Sequence, residues 1–183
     1  MVKLKTVYEM IAQRRFKVVS DNVVDGSDAD DIPPKGDILA RSVDEAKNYM
    51  YVKLLGGKFE LGTIREFIWS TFDILPEAVG LRLKGTRKNV IQMVIISKSF
   101  QKTHLSEFKE VSSCIQLIRE DFFNINVTKK APVHEKVSNW EFKKRDLPII
   151  KLEDPICIFH NFTKGDVIRV VRSDGDIAYR IVR

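Results

Sequence analysis

Lys164-Gly165-Asp166-Val167-Ile168-Arg169-Val170-Val171-Arg172-Ser173-Asp174-Gly175-Asp176-Ile177-Ala178-Tyr179-Arg180-Ile181-Val182 is the stretch on which the fold turns. Two β-branched runs, Val167–Arg172 and Ile177–Val182, flank Asp174-Gly175, a dipeptide favoured in two-residue type I′ turns. The stretch therefore predicts a β-hairpin. With Asp174-Gly175 as the turn, Ile168 lies opposite Ile181, Val170 opposite Tyr179, and Arg169 opposite Arg180. Ile168, Val170, Tyr179 and Ile181 then form a core face, because side chains alternate along a strand. The other face carries Val167, Val171, Ala178, Val182 and the two arginines. Like charges placed opposite each other are unfavourable. This face is therefore expected to meet carboxylates, which Arg pairs with in bidentate fashion, from another chain or, alternatively, from Asp154 or Glu153 of this one.

Upstream of the hairpin, Asp154-Pro155 is a strong helix start, with Asp as N-cap and Pro at N1. The short helix it opens carries Ile156 and Phe159 on one face, and Ile149–Leu152 before it reads as a short strand. The pattern breaks at Thr128-Lys129-Lys130-Ala131-Pro132, and the domain boundary is placed there. Residues 131–183 are thus an α+β unit ending in a hairpin, and residues 1–130 a separate unit.

The N-terminal unit opens with Leu4, Val7, Tyr8 and Ile11 at helical spacing. Ser42-Val43-Asp44-Glu45 and Thr63-Ile64-Arg65-Glu66 both carry the capping-box pattern and predict two further helices. The third buries Ile64, Phe67, Ile68, Phe72 and Leu75 and stops at Pro76. Leu81 and Leu83 alternate with polar residues before the basic turn 85–89. Val90–Ile96 is a β-branched run that reads as a buried strand. Helical period returns at Leu105, Phe108, Val111 and Ile115, and period two at Phe123, Ile125 and Val127. Strand, helix, strand in this order is a βαβ unit, so the N-terminal unit is α/β.

Of the 183 residues, 31 are Lys or Arg and 25 Asp or Glu, a net charge of +6. The excess is local, since residues 82–119 carry 8 basic and 2 acidic side chains. Such clustering suits a polyanion, most often nucleic acid. By contrast, Asp21, Asp25, Asp28, Asp30, Asp31 and Asp37 fall together, among Gly26, Pro33, Pro34 and Gly36. They predict an acidic surface loop, and their spacing lacks the ladder and closing Glu of an EF-hand.

Catalytic signatures are thin. His104, His134 and His160 are widely spaced, the glycines form neither a P-loop nor a dinucleotide fingerprint, and Cys114 and Cys157 each lie in an apolar run. A disulfide framework and a Cys-based zinc ribbon are excluded, and a reducing compartment is expected. A metal-dependent nuclease needs converging carboxylates, yet Val79–Ser97 contains none. No apolar run reaches the length of a membrane span, so no membrane is expected as a partner, and with catalytic signatures this thin no small-molecule substrate is expected either.

Three linked motifs carry a resemblance. They are Leu147-Pro148-Ile149 with Asp154-Pro155, then Gly165-Asp166-Val167 running to Arg172, then Tyr179-Arg180. In this order they resemble the fifth-largest subunit of eukaryotic nuclear RNA polymerases and its shorter archaeal counterpart. Val133-His134-Glu135 is similar to the start of that family's C-terminal unit. More loosely, Thr6–Ile11 with Arg14-Arg15-Phe16, and the strand, loop and helix from Val90, are similar to its eukaryotic jaw domain. Four features depart from the family: the shortened segment 139–145, the pair His160-Asn161 in place of Leu-Gly, the shorter final hairpin, and the acidic loop.

The resemblance implies a non-catalytic subunit of a multisubunit DNA-directed RNA polymerase, without cofactor. Its C-terminal assembly domain docks on the largest subunit, and its N-terminal α/β jaw domain lies beside downstream double-stranded DNA. Expected interface residues are Pro155, Gly165, Asp166, Arg169, Tyr179 and Arg180, and expected DNA-proximal residues are Arg87, Lys88, Lys98 and Lys102. The departures suggest a large DNA virus or a fast-evolving eukaryote. Location follows origin: the nucleus for a cellular chain, a cytoplasmic viral factory or virion for a viral one. The alternative is a free-standing basic nucleic-acid-binding protein.

Overall fold

The computed structural model describes residues 2–24, 34–45, 48–60, 62, 65, 68, 90–101, 112–141 and 143–183. They fall into two units, Met1–Asn124 and Ile125–Arg183. The division lies a few residues before the expected 130/131. Val127 and Ala131 pack against the core of the second unit, so the polar break at Thr128–Lys130 sits inside that unit.

In the first unit, helix α1 (Leu4–Gln13) is followed by strands β1 (Phe16–Asp21), β2 (Lys35–Ser42), β3 (Tyr49–Leu55), β4 (Val90–Ser97) and β5 (Ile115–Arg119). They form one sheet in sequence order. β1, β2 and β3 are antiparallel, and β3, β4 and β5 are parallel. β4 buries Met93, Val94, Ile95 and Ile96 in succession, as a central parallel strand covered on both faces does. On one face Met93, Ile95 and Ile115 pack with Phe59 and Ile68. On the other, α1 buries Val7, Met10 and Ile11, and its cap residue Arg14 donates to Gln92 and Gln116 of β4 and β5.

The helix expected from Ser42 is not formed there. The Ser42 hydroxyl accepts from the backbone N–H of Asp44 and Glu45, 3.2 Å each, but the turn it closes joins β2 to β3. Arg15, in the left-handed region at φ 64°, holds the Asp44 carboxylate in a bidentate pair at 2.7 Å. Capping and turn chemistry use the same hydroxyl, and the run after it decides between them. In Tyr49–Leu55 the residues Met50, Val52 and Leu54 are buried at period two, so a strand wins. Gly36 follows from the same meander. It has φ +148°, and a Cβ there would stand 2.4 Å from the Asn22 carbonyl oxygen.

The buried strand at Val90–Ile96 is present, and its parallel partner is Ile115–Arg119 rather than Phe123–Val127. Phe123 is fully buried in a 3-10 turn, Glu120–Asn124, and Ile125 is 57% exposed. Val127 belongs to the second unit. The period-two pattern there straddles the boundary between the units and marks no strand. Gly62, Arg65 and Ile68 are helical where the third helix was expected. Its remaining residues, the turn at 85–89, the helix from Leu105 up to 111, and the aspartates at 25–31 lie outside the described residues.

In the second unit, strands β6 (Val133–Lys136), β7 (Ile149–Ile150), β8 (Val167–Val171) and β9 (Ile177–Val182) form a sheet ordered β6-β8-β9-β7. Helix α2 (Pro155–His160) buries Ile156, Cys157 and Phe159. Asp154 caps it, accepting from the Ile156 N–H at 2.9 Å, and Pro155 is its first residue. Asn161 ends it at φ 57°, with Phe162 N–H bonded to the Cys157 carbonyl and Asn161 N–H to that of Ile158. This is the Schellman arrangement, and Asn takes the left-handed position that glycine fills most often.

Candidate partner and nucleic-acid surfaces

The hairpin forms, but one residue out of the expected register. Val167 faces Ile181, Ile168 faces Arg180, Arg169 faces Tyr179, Val170 faces Ala178, and Val171 faces Ile177. The loop has three residues, Ser173-Asp174-Gly175, closed by Arg172 N–H to the Asp176 carbonyl, with Gly175 at φ +89°. Asp174 accepts from the Asp176 N–H and stabilises this longer loop. A one-residue slip moves a strand's side chains to the opposite face relative to its partner. Arg169 and Arg180 therefore lie on opposite faces, and the unfavourable arginine pair does not exist.

Each arginine has its own surroundings. Arg169 pairs across to Glu135 of β6 at 3.1 Å, beside Tyr179, whose ring lies 4.8 Å from that of Trp140. Beyond them, Val133, Val171 and Ile177 form a cross-strand apolar row, with Val133 58% and Ile177 49% exposed. Arg180 is on the α2 face, whose core holds Ile150, Ile156, Cys157, Ile168, Val170 and Val182. Its Nη1 donates to the Ile149 carbonyl at 3.3 Å. There it lines a groove of about 550 Å³, which also takes in His134, Glu153, Asp154, Val170, Arg172 and Ala178.

The remaining interface candidates serve the turn before β8. Asp166 accepts from the Thr163 N–H and hydroxyl at 2.8 and 3.0 Å and pairs with Lys136 at 2.9 Å. Burial alone would raise its pKa, but the bonds from Lys136 and Thr163 hold it below the usual carboxylate value. Gly165 has φ +93°, its carbonyl accepts from Lys144, and Pro155 is exposed at the head of α2. Cys157 is buried, and burial followed by the carboxylates of Asp154 and Asp166 pushes its thiol up to about 11, where it is inert. Cys114 is half-buried beside the core of the first unit.

Of the DNA-proximal candidates, only Lys98 is among the described residues. It is exposed at the end of β4, with its N–H on the Gly57 carbonyl at 2.8 Å. Burial raises the pKa of Glu120, and the charge of Lys98 opposes that rise. Lys98 thus already has an acid near it. Arg87, Lys88 and Lys102 lie outside the described residues.

Among the described residues no three His, Cys, Asp or Glu side chains cluster to hold a metal, and no helix is long and apolar enough to cross a membrane. Glu135, Trp140 and the Ile149 carbonyl are contacts that sequence reasoning missed. The alternation of Val133 and Glu135 with His134 and Lys136 was the available signal for β6.

Residues 123–182, the second unit almost to the residue, match the family model of RNA polymerase Rpb5, C-terminal domain. A domain of this kind marks a subunit of an RNA polymerase. The whole chain is also 46% identical over 184 residues to uncharacterized protein 092R of Invertebrate iridescent virus 3, covering 100% of both. The second unit belongs to the Rpb5 C-terminal domain family of RNA polymerase subunits, and a relative over the full length of the chain is viral.

Proposed function

We propose that this chain is a structural subunit of a multisubunit DNA-directed RNA polymerase, with its second unit docking on the largest subunit. The observation that carries the reading is the coincidence of the Rpb5 match with a separately packed unit that keeps a half-open surface. Pro155, Gly165, Tyr179 and Arg180 all lie on that unit's surface or half-buried at it, as does the row of Val133, Val171 and Ile177. Asp166 and Arg169 shape it from within. The chemistry of RNA synthesis then belongs to other subunits. The full-length similarity to an iridovirus protein favours a virus-encoded polymerase, working in a viral factory or virion.

The first unit would form the lower jaw beside downstream DNA. Lys98 and Lys102, with Arg87 and Lys88, would contact phosphates without reading sequence. A tagged full-length chain should co-purify with two very large polypeptides, identified by mass spectrometry as the catalytic polymerase subunits. Their absence would leave the free nucleic-acid-binding reading, whose mark is salt-sensitive DNA binding by the chain alone. For the jaw, K98A/K102A should weaken the salt dependence of elongation-complex stability. An unchanged salt dependence would remove the DNA role.

A further inference from the structure

We infer that the groove on the α2 face of the second unit receives an extended acidic segment of a partner polypeptide, anchored by a carboxylate on Arg180. The inference rests on the polymerase-subunit reading and names the chemistry of its docking site.

The second unit treats its two half-buried arginines, Arg169 and Arg180, differently. Arg169 has the Glu135 carboxylate at 3.1 Å. Arg180 has none within 4.0 Å among the described residues, only one 3.3 Å bond to the Ile149 carbonyl. A guanidinium has five donors in a fork matched to a carboxylate. Partial removal from water without such a partner is unfavourable, and a second chain can supply one.

Register gives the groove its pattern. Val170 and Ala178 face each other on its floor. Arg180 stands one cross-strand row to one side, opposite Ile168, and Arg172 one row to the other, where the loop closes. Among the described residues the Arg172 side chain pairs only with Asp176, at 3.8 Å, with both side chains more than half exposed. The floor is apolar and both ends are basic. Neither carboxylate at the wall pairs with Arg180 within 4.0 Å: Asp154 caps α2, and Glu153 faces solvent. The occupant that fits is an extended segment with an apolar residue over Val170 and Ala178 and an acid toward Arg180.

The test uses the full chain assembled into the polymerase. A photoreactive benzoylphenylalanine replaces exposed Lys151 on the groove wall, and the cross-linked peptide is identified by mass spectrometry. The expected result is a polymerase peptide with Asp or Glu beside the cross-linked residue. In parallel, R180E should lower incorporation roughly tenfold or more while R180K retains part of it, because a buried charge pair is being broken. If R180E fails to fold by circular dichroism, the cross-link and R180K decide. A cross-link to a peptide without carboxylates or to nucleic acid, or full incorporation of folded R180E, overturns the groove assignment. Wild-type chain that recovers no polymerase polypeptide overturns the polymerase reading, and this inference with it.

Discussion

The two units handle buried charge in opposite ways. The first takes a cation fully inside. Arg14 is 8% exposed, and it donates to the side-chain carbonyls of Gln92 at 3.1 Å and Gln116 at 2.7 Å. Burial presses its pKa down to about 9, which leaves it protonated at neutral pH. Among the groups that answer that charge are two neutral amides, which tie the end of α1 to two strands. The second unit keeps its charges at the surface and pairs some of them between elements, as Glu135 answers Arg169 and Asp166 answers Lys136. Arg180 is the half-buried exception. A cation already answered inside its own unit makes architecture, and one left half-answered at a groove points outward to a partner.

The largest effect should come from the core of the second unit, because a chain segment this short has little stability to spare. Ile168 is fully buried between strands and helix. I168A should cost about 2–5 kcal/mol. Amide exchange of the full chain would show it as loss of protection across Ile125–Arg183. Retained protection there would mean the small unit is more robust than its size implies.

Next comes Arg14. R14L removes a buried charge, which alone can be neutral or favourable, but it takes a donor from two amide carbonyls. The net loss should be about 2 kcal/mol in denaturant titration, given about 0.5–1.5 kcal/mol per hydrogen bond lost. The triple variant R14L/Q92L/Q116L should recover most of it. If R14L alone is neutral, the amides are not what holds α1 to the sheet.

A smaller effect is expected at Asp166. Its folded pKa is depressed, so the stability it contributes is complete above its unfolded value near pH 4 and is lost as pH falls through the folded one. D166N should cost about 1–1.5 kcal/mol at neutral pH. It should also flatten the acid limb of a melting-temperature profile below about pH 4. An unchanged acid limb would show that the Lys136 and Thr163 contacts do not depend on the charge.

The same contrast explains how far the sequence could be read. Around α2 of the second unit the local signals and the tertiary fold agree. Asp154 and Pro155 start a helix whatever surrounds them, and Asn161 tolerates the left-handed turn that ends it. In the first unit they conflict. Ser42 has the chemistry of a helix cap, but the cross-strand pairing of Tyr49–Leu55, not visible from local spacing, turned it into a strand connection. The groove was beyond reach for a similar reason. Its partners, Ile149, Arg172 and Arg180, are assembled by a parallel β7–β9 pairing and a hairpin register. Asp174-Gly175 suggests a two-residue turn, and only the Asp174 side chain on the Asp176 N–H lengthens it by one. That one residue separates an arginine pair on one face from two arginines with different fates.

The smallest effect is the one that sharpens the comparison most. Glu135 and Arg169 are 54% and 40% exposed, so water screens their attraction. A double-mutant cycle with E135Q and R169Q, read by thermal denaturation, should give a coupling of about 0.2–1 kcal/mol. The charge-swapped E135R/R169E chain should fold and enter the polymerase as wild type does, because the pair answers itself inside the unit. Lost incorporation of a folded swap would move the docking chemistry to the Arg169 face of the sheet. The row of Val133, Val171 and Ile177 lies there, and Arg169 would then be reaching outward with Glu135 as its resting partner. Retained incorporation, set beside the expected loss in R180E, would place the unit's outward charge on the groove face, where one half-buried guanidinium has a backbone carbonyl and, among the described residues, no acid within 4.0 Å.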